Sequence, residues 1–220
     1  SKKAISDGYQ TLRELGAIDQ RNSLTANGRE MAVVPIDVRL ARMIIAARAA
    51  GCLKEMLIIV SGLSIADPKE NYLSNSQEIS DVHKQFLDED SDFMGYLKLW
   101  GWFNQQVTKK RFDKKFTKNC KELRLSPTRL WEWRDLQEQL QNIAIDNGWA
   151  LNKKQSTYKN IHLCLLSGFI GNIGFRSQSE PHYLGPRDVK FKIGYRSNLK
   201  NQPPKWIVAA DITETTSLYA

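Results

Sequence analysis

The sequence predicts a mainly α-helical chain that ends in a β-structured part, and three observations carry that expectation. Across most of residues 25–166, apolar side chains recur at helical spacing between capping residues and glycine or proline stops. Beyond Lys153 the pattern changes: Gly168, Gly171 and Gly174 follow one another, 189–193 alternates strictly between apolar and lysine positions, and 206–212 is an apolar run after Pro203 and Pro204. Third, 41% of the 220 residues are hydrophobic, enough for an ordinary globular core.

Taken in order, residues 7–16 read as a short helix with Tyr9, Leu12 and Leu15 on one face, ended by Gly16. Residues 18–24 read as a small hairpin turning near Asn22 and Ser23. A short helix, a β-wing and a further helix are the parts of a winged-helix unit whose first helices would precede Ser1. The stretch 24–43 then packs two helix starts and a proline break into twenty positions. Thr25 suits the first cap, Pro35 ends or turns that helix, and Asp37 caps the second while complementing its N-terminal dipole.

After Asp37, Leu40, Met43, Ile44 and Ala47 form one buried stripe on a helix ended by Gly51, with Arg39 and Arg42 on another face. Leu53, Met56, Leu57 and Val60 repeat the spacing on a second helix, which stops between Gly62 and Pro68. The polar segment 67–76 reads as a linker. Helices are expected at 75–87, from 90 or 91 to about 109, across the basic stretch to about Glu122, and at 126–147, with Pro127 in a first turn and Gly148 as a stop. Trp100, Trp102, Phe103, Trp131 and Trp133 fall at helical spacing with Leu97, Leu99 and Leu136, which assigns them to core packing. A last helix is expected at 157–166. The strands after it would leave exposed edges, so a small barrel is expected to continue past Ala220.

Reactive motifs are absent from the sequence. It holds no phosphate-binding loop with its Lys-Ser/Thr, no nucleophile elbow, no His-Glu-x-x-His and no dinucleotide fingerprint after a strand. His83, His162 and His182 lie far apart without ligand-spaced partners, and Asp88, Glu89 and Asp90 are consecutive, so they point in different directions. Cys52, Cys120 and Cys164 are widely spaced and read as buried thiols. No apolar run approaches a membrane span and no leader pattern opens the chain, which predicts a cytoplasmic protein with no membrane partner.

The formal charge of +8 is unevenly placed. Residues 55–92 carry nine acidic side chains against Lys69 and Lys84, whereas 109–124 carry eight basic ones against Asp113 and Glu122. Residues 153–205 are basic again, with ten positive charges opposed by Glu180 and Asp188. That polarity points to an anionic partner, nucleic acid above all, at the second half of the chain.

Several motifs resemble the C-terminal accessory region of DEAH-box ATP-dependent RNA helicases, in particular the bacterial HrpA-like branch. They are Leu12-x-Glu14-Leu15-Gly16-Ala17-Ile18, Leu24-Thr25-x-x-Gly28-Arg29-x-Met31-Ala32 and Pro35-x-Asp37-x-Arg39-Leu40-Ala41-Arg42-Met43. The resemblance continues through Gly51-Cys52, Leu63-Ser64, Asp67-Pro68, Ser91-Asp92-Phe93 and Glu132-Trp133-x-Asp135-Leu136. It ends with Leu165-Leu166-Ser167-Gly168, Tyr183-Leu184-Gly185 and the run from Pro204 to Ala210. One departure is Gly185-Pro186-Arg187, where the family pattern has Gly-Ala-Arg.

The resemblance implies three parts: the end of a winged helix at 1–36, a helical ratchet bundle at 37–150, and the start of an OB-like barrel at 151–220. It places two RecA-like motor domains upstream, with ATP and Mg bound there and neither cofactor in this chain, which alone is expected to have no ATPase activity. The implied role is one wall of a single-stranded RNA channel, with DNA as a second possible strand, and a basic platform. Arg187, Lys190, Lys192, Arg196, Lys200 and Lys205 are the expected phosphate contacts, and Tyr183 and Tyr195 the expected stacking groups. Alternation turns Phe191 toward the core instead. The alternative is a module that docks a protein activator or the ribosome, with no RNA grip of its own.

Overall fold

The computed structural model describes residues 2–69, 81–108, 110–176, 180–194, 197–214 and 218–219. Contacts divide the chain into two compact units, one built from Ser1–Met56 with Ala150–Ala220 and the other from Leu57–Trp149.

In the first unit, α1 (Lys2–Glu14) leads into a tight turn at Gly16 and an antiparallel bridge between Ile18 and Leu24. Asn22 takes the left-handed conformation the turn needs, and the Asp19 carboxylate accepts from the Arg21 and Ser23 amides. The expected hairpin is therefore present as a single bridge. No residue of α1 itself is buried: Tyr9 is exposed, and burial begins at Leu15, just past the end of the helix.

Thr25 caps α2 (Ala26–Met31) by accepting from the Gly28 amide at 3.0 Å, and Asp37 caps α3 (Val38–Ala50) by accepting from the Arg39 amide at 2.9 Å. Gly51 ends α3 in the left-handed conformation. Leu40, Met43, Ile44 and Ala47 are buried as their spacing requires. Arg42 reaches back to donate from Nε to the Leu15 carbonyl at 3.1 Å, whereas Arg39 pairs with its own cap, Asp37, at 3.2 Å.

The partner of α3 within this unit is α8 (Tyr158–Gly168), which arrives from the far end of the sequence. Close approach is possible because Gly168 lacks a side chain: a Cβ there would lie 2.3 Å from the Arg39 carbonyl oxygen and 2.6 Å from the end of Met43. Cys52 and Cys164 meet in the same interior with their sulfurs 3.4 Å apart. The buried Glu55 carboxylate accepts from the Ser156 amide and the Asn152 side chain, so its charge is hydrogen-bonded rather than orphaned.

A four-stranded antiparallel sheet completes the first unit, in the order β3-β2-β1-β4: β1 (Ile173–Arg176), β2 (Tyr183–Leu184), β3 (Lys190–Phe191) and β4 (Trp206–Val208). Tyr183, Phe191 and Ile207 form its buried side. Gly174 is required there, since a Cβ would lie 2.5 Å from the Phe191 ring. A separate hairpin pairs β5 (Thr213–Glu214) with β6 (Leu218–Tyr219).

The second unit receives the chain through α4 (Leu53–Leu63) and holds α5 (Asp92–Gln106), α6 (Lys114–Glu122) and α7 (Pro127–Asp146). Its core is aromatic: Phe86, Trp100, Phe103, Phe116, Trp131 and Trp133 pack together with Leu99 and Leu130. Trp133 donates its indole N–H to the Ile58 carbonyl at 2.9 Å and to Ser61 Oγ at 3.0 Å, so the buried ring leaves no polar atom unpaired. The basic stretch is not continuously helical. Among the described residues, 107, 108 and 110–113 form a connection with Asp113 capping α6, because Asp113 accepts from the Phe116 amide and from Thr108. The expected linker and helix start at 70–80 lie outside the described residues.

Candidate nucleic-acid interface

Most of the expected contact residues belong to the sheet of the first unit and its connections. Lys190 stands exposed on β3, with Nζ 3.1 Å from Glu180. Lys205 is exposed just before β4, and its Nζ lies 5.6 Å from the centre of the Phe175 ring. Lys200 is exposed at the end of a 3-10 turn, Asn198–Lys200, whose start is capped by Ser197. Lys192 is half-buried. The Arg187 backbone lies in the 3-10 turn Pro186–Asp188, and Tyr195 and Arg196 fall outside the described residues.

Tyr183 is placed differently from the stacking role expected of it. It is 1% exposed, its ring lies against Phe191, and its hydroxyl donates to the Pro204 carbonyl at 2.5 Å. Burial pushes its pKa up, with Arg176 pulling weakly the other way. Strand alternation explains the placement: Tyr183 pairs directly with Phe191, and both point to the buried side of the sheet.

The opposite face carries a feature that the spacing did not reveal. Lys190 pairs with Leu184, Leu184 with Phe175, and Phe175 with Trp206, so the four side chains form one transverse row across β3, β2, β1 and β4. At the usual separation of neighbouring strands the row is about 14 Å long. Trp206 is 61% exposed and Leu184 44% exposed, and the Phe175 and Trp206 rings are 4.7 Å apart. In the sequence, Trp206 announces only a strand; the pairing that sets it and Lys205 beside Phe175 comes from register between segments about thirty residues apart.

The second unit has its own basic surface. On α6, Phe116 and Cys120 are buried while Lys114, Lys118 and Lys121 share the opposite, exposed side at i, i+4 and i+7. Arg111 is engaged locally, making two hydrogen bonds to Asp135 and lying 4.9 Å from the Trp131 ring centre.

Two of the histidines, His83 and His162, hold structural positions. His83 Nε2 lies 2.8 Å from the Leu123 carbonyl oxygen, and burial lowers its pKa. His162 is hydrogen-bonded to the Tyr158 carbonyl and stacked on the Tyr158 ring. Among the described residues there is no cluster of His, Cys, Asp and Glu able to hold a metal ion, and no helix long and apolar enough to cross a membrane.

Comparison with known proteins adds the family. Residues 37–96 match the helicase associated domain (HA2), ratchet-like. The chain is 36% identical, over 99% of its length, to the ATP-dependent RNA helicase HrpA of Escherichia coli strain K12. Identity is also 36%, over 99% of the chain, to the HrpA homolog of Haemophilus influenzae. The DHX33 ATP-dependent RNA helicase of Drosophila melanogaster is 24% identical over 98% of the chain and is covered over 30% of its own length. The chain spans 17% of the length of each of the two HrpA relatives. With the ratchet-like match and near-complete coverage by HrpA proteins, the chain belongs to the HrpA-like DEAH-box helicases, as a C-terminal region of such a protein.

Proposed function

We propose that this chain forms part of the single-stranded RNA channel of an ATP-dependent DEAH-box RNA helicase and offers the strand a basic platform. Similarity to RNA helicases across 99% of the chain is the observation that carries this reading. In the parent protein, RecA-like motor domains bind ATP and Mg and supply the work, in the cytoplasm; this chain supplies grip and no hydrolysis of its own. The three-part organisation is proposed with it: winged-helix end at 1–36, ratchet at 37–150 and OB-like fold at 151–220.

Lys190, Lys200 and Lys205 are exposed on or beside one small sheet, and Arg187, Lys192 and Arg196 belong to the same segment of chain. Lysines so placed neutralise phosphates and release counterions, which gives affinity without sequence preference. The exposed Lys190–Glu180 pair opposes this little, because such pairs are worth at most about 1 kcal/mol and a phosphate can replace the carboxylate.

Salt titration tests the reading. The chain's affinity for a single-stranded RNA should fall with salt, the log–log slope changing by about 0.7 for each phosphate contact. Lys190→Gln and Lys205→Gln should each flatten it by about that amount. No detectable binding at low salt rejects the RNA grip and leaves docking of a protein activator or the ribosome as the use of this face.

A further inference from the structure

We infer that the transverse row on the open face of the sheet is a base-stacking platform, with Phe175 and Trp206 as its rings and Lys205 holding the adjoining phosphate. The inference rests on the RNA reading above and specifies what that reading leaves open: which groups meet the bases.

Three observations point to it. Trp206 is the most exposed aromatic ring among the described side chains of the sheet, at 61%, and burying it on folding is not its role. Second, the neighbouring ring is half-buried and fixed: Phe175 sits 4.7 Å from Trp206 at an interplanar angle of 52°, which holds the indole in place and leaves its outer side open. Third, the row is bracketed by cations, Lys190 at the β3 end and Lys205 beside the rings, with Lys205 Nζ 5.6 Å from the Phe175 centre. Apolar rings between cations, in a segment with ten positive charges against two negative, complement a strand with π-faced bases on a phosphate backbone. A purely apolar partner would add no counterion for Lys205, nor for Lys190 beyond its pair with Glu180.

Of the rings expected from sequence, Tyr183 does not fill this role, since it is enclosed in the sheet's buried side. Stacking on Trp206 is indifferent to base identity, because every base has a π-face, so the platform adds affinity and no sequence preference.

The test compares two probes on the intact chain: a single-stranded oligouridylate and a ribose-phosphate strand of the same length lacking bases. The wild type should bind the base-bearing strand about 10-fold more tightly, the order expected of one or two stacked bases. Trp206→Ala should bring both probes to the same affinity, with the base-free strand unaffected, and Trp206→Phe should restore most of the difference. Trp206 is exposed, so its truncation should leave the melting curve unchanged. Equal binding of both probes by the wild type overturns the platform, as does a Trp206→Ala variant that keeps the full preference for bases. In either case Lys190→Gln and Lys205→Gln still weaken both probes if the backbone grip is real. Binding of neither probe at low salt overturns the grip and the platform together.

Discussion

Gly168→Ala should destabilise the first unit, although alanine is the better helix former. Gly168 is the last residue of α8, where that helix crosses α3. The added Cβ would stand 2.3 Å from the Arg39 carbonyl oxygen and 2.6 Å from Met43 Cε. Met43 can move its terminal methyl, but the carbonyl is main chain inside α3 and can retreat only if the two helices separate. Separation loosens the contacts of Met43 and Ile44, each at most 1% exposed. Overpacking of this kind costs about 1–3 kcal/mol, and the gain in helix propensity returns at most about 1 kcal/mol. The net loss of about 1–2 kcal/mol corresponds to a melting temperature lower by about 2–8 °C for a chain of this size. Gly101→Ala provides the opposite case: it lies exposed within α5 with nothing within 4 Å of the new Cβ, and should stabilise by about 0.5–1 kcal/mol. Calorimetry on both variants, with hydrogen exchange in α3 and α8, reads the result. If Gly168→Ala melts at or above the wild-type temperature, α3 and α8 are not held at the distance described.

Two further perturbations follow from the same geometry. Arg42→Ala removes the hydrogen bond that ties α3 to the Leu15 carbonyl and should lower stability by about 1–2 kcal/mol, whereas Arg39→Ala breaks only a half-exposed pair with its own cap and should cost under about 1 kcal/mol. The pair of denaturation curves checks this, and retained stability with lost RNA affinity in the Arg42 variant would show that the arginine contacts RNA rather than fixing the corner. Burial lowers the pKa of His83, helped by Lys69 and opposed by the Leu123 carbonyl, so the unfolded chain takes up the proton first. Stability is therefore full above about pH 6.5 and should fall as pH drops below it, by up to about 1.4 kcal/mol per pH unit while the folded state stays neutral. His83→Gln should flatten that part of the pH profile, and an unchanged profile would refute the assignment.

Local signals were legible wherever one residue acts on its immediate neighbours. Thr25, Asp37 and Gly51 punctuate helices from positions read directly in the sequence, because capping is a bond between residues two to four apart. The aromatic core at Trp100, Trp131 and Trp133 was legible for a related reason: its rings repeat at helical spacing on α5 and α7. The helix expected across the basic stretch met a competing local bond, since Asp113 caps α6 and leaves 110–113 as a connection before it. The winged-helix and OB-like identities remain part of the proposed function.

The sequence by itself determined the helix punctuation at Thr25, Asp37 and Gly51, the buried stripe of α3, the change to strands after Lys153, the basic C-terminal half and the family. Those properties depend on period, caps and composition, which act over a few residues or none. Only the tertiary structure decided that α8 returns to α3, that Arg42 braces Leu15, and that Tyr183 turns inward while Trp206, Phe175, Leu184 and Lys190 line up outward. Each of these depends on register between segments far apart in the chain. A shift of one residue in that register exchanges the two faces of a strand, and no local pattern here was strong enough to fix it.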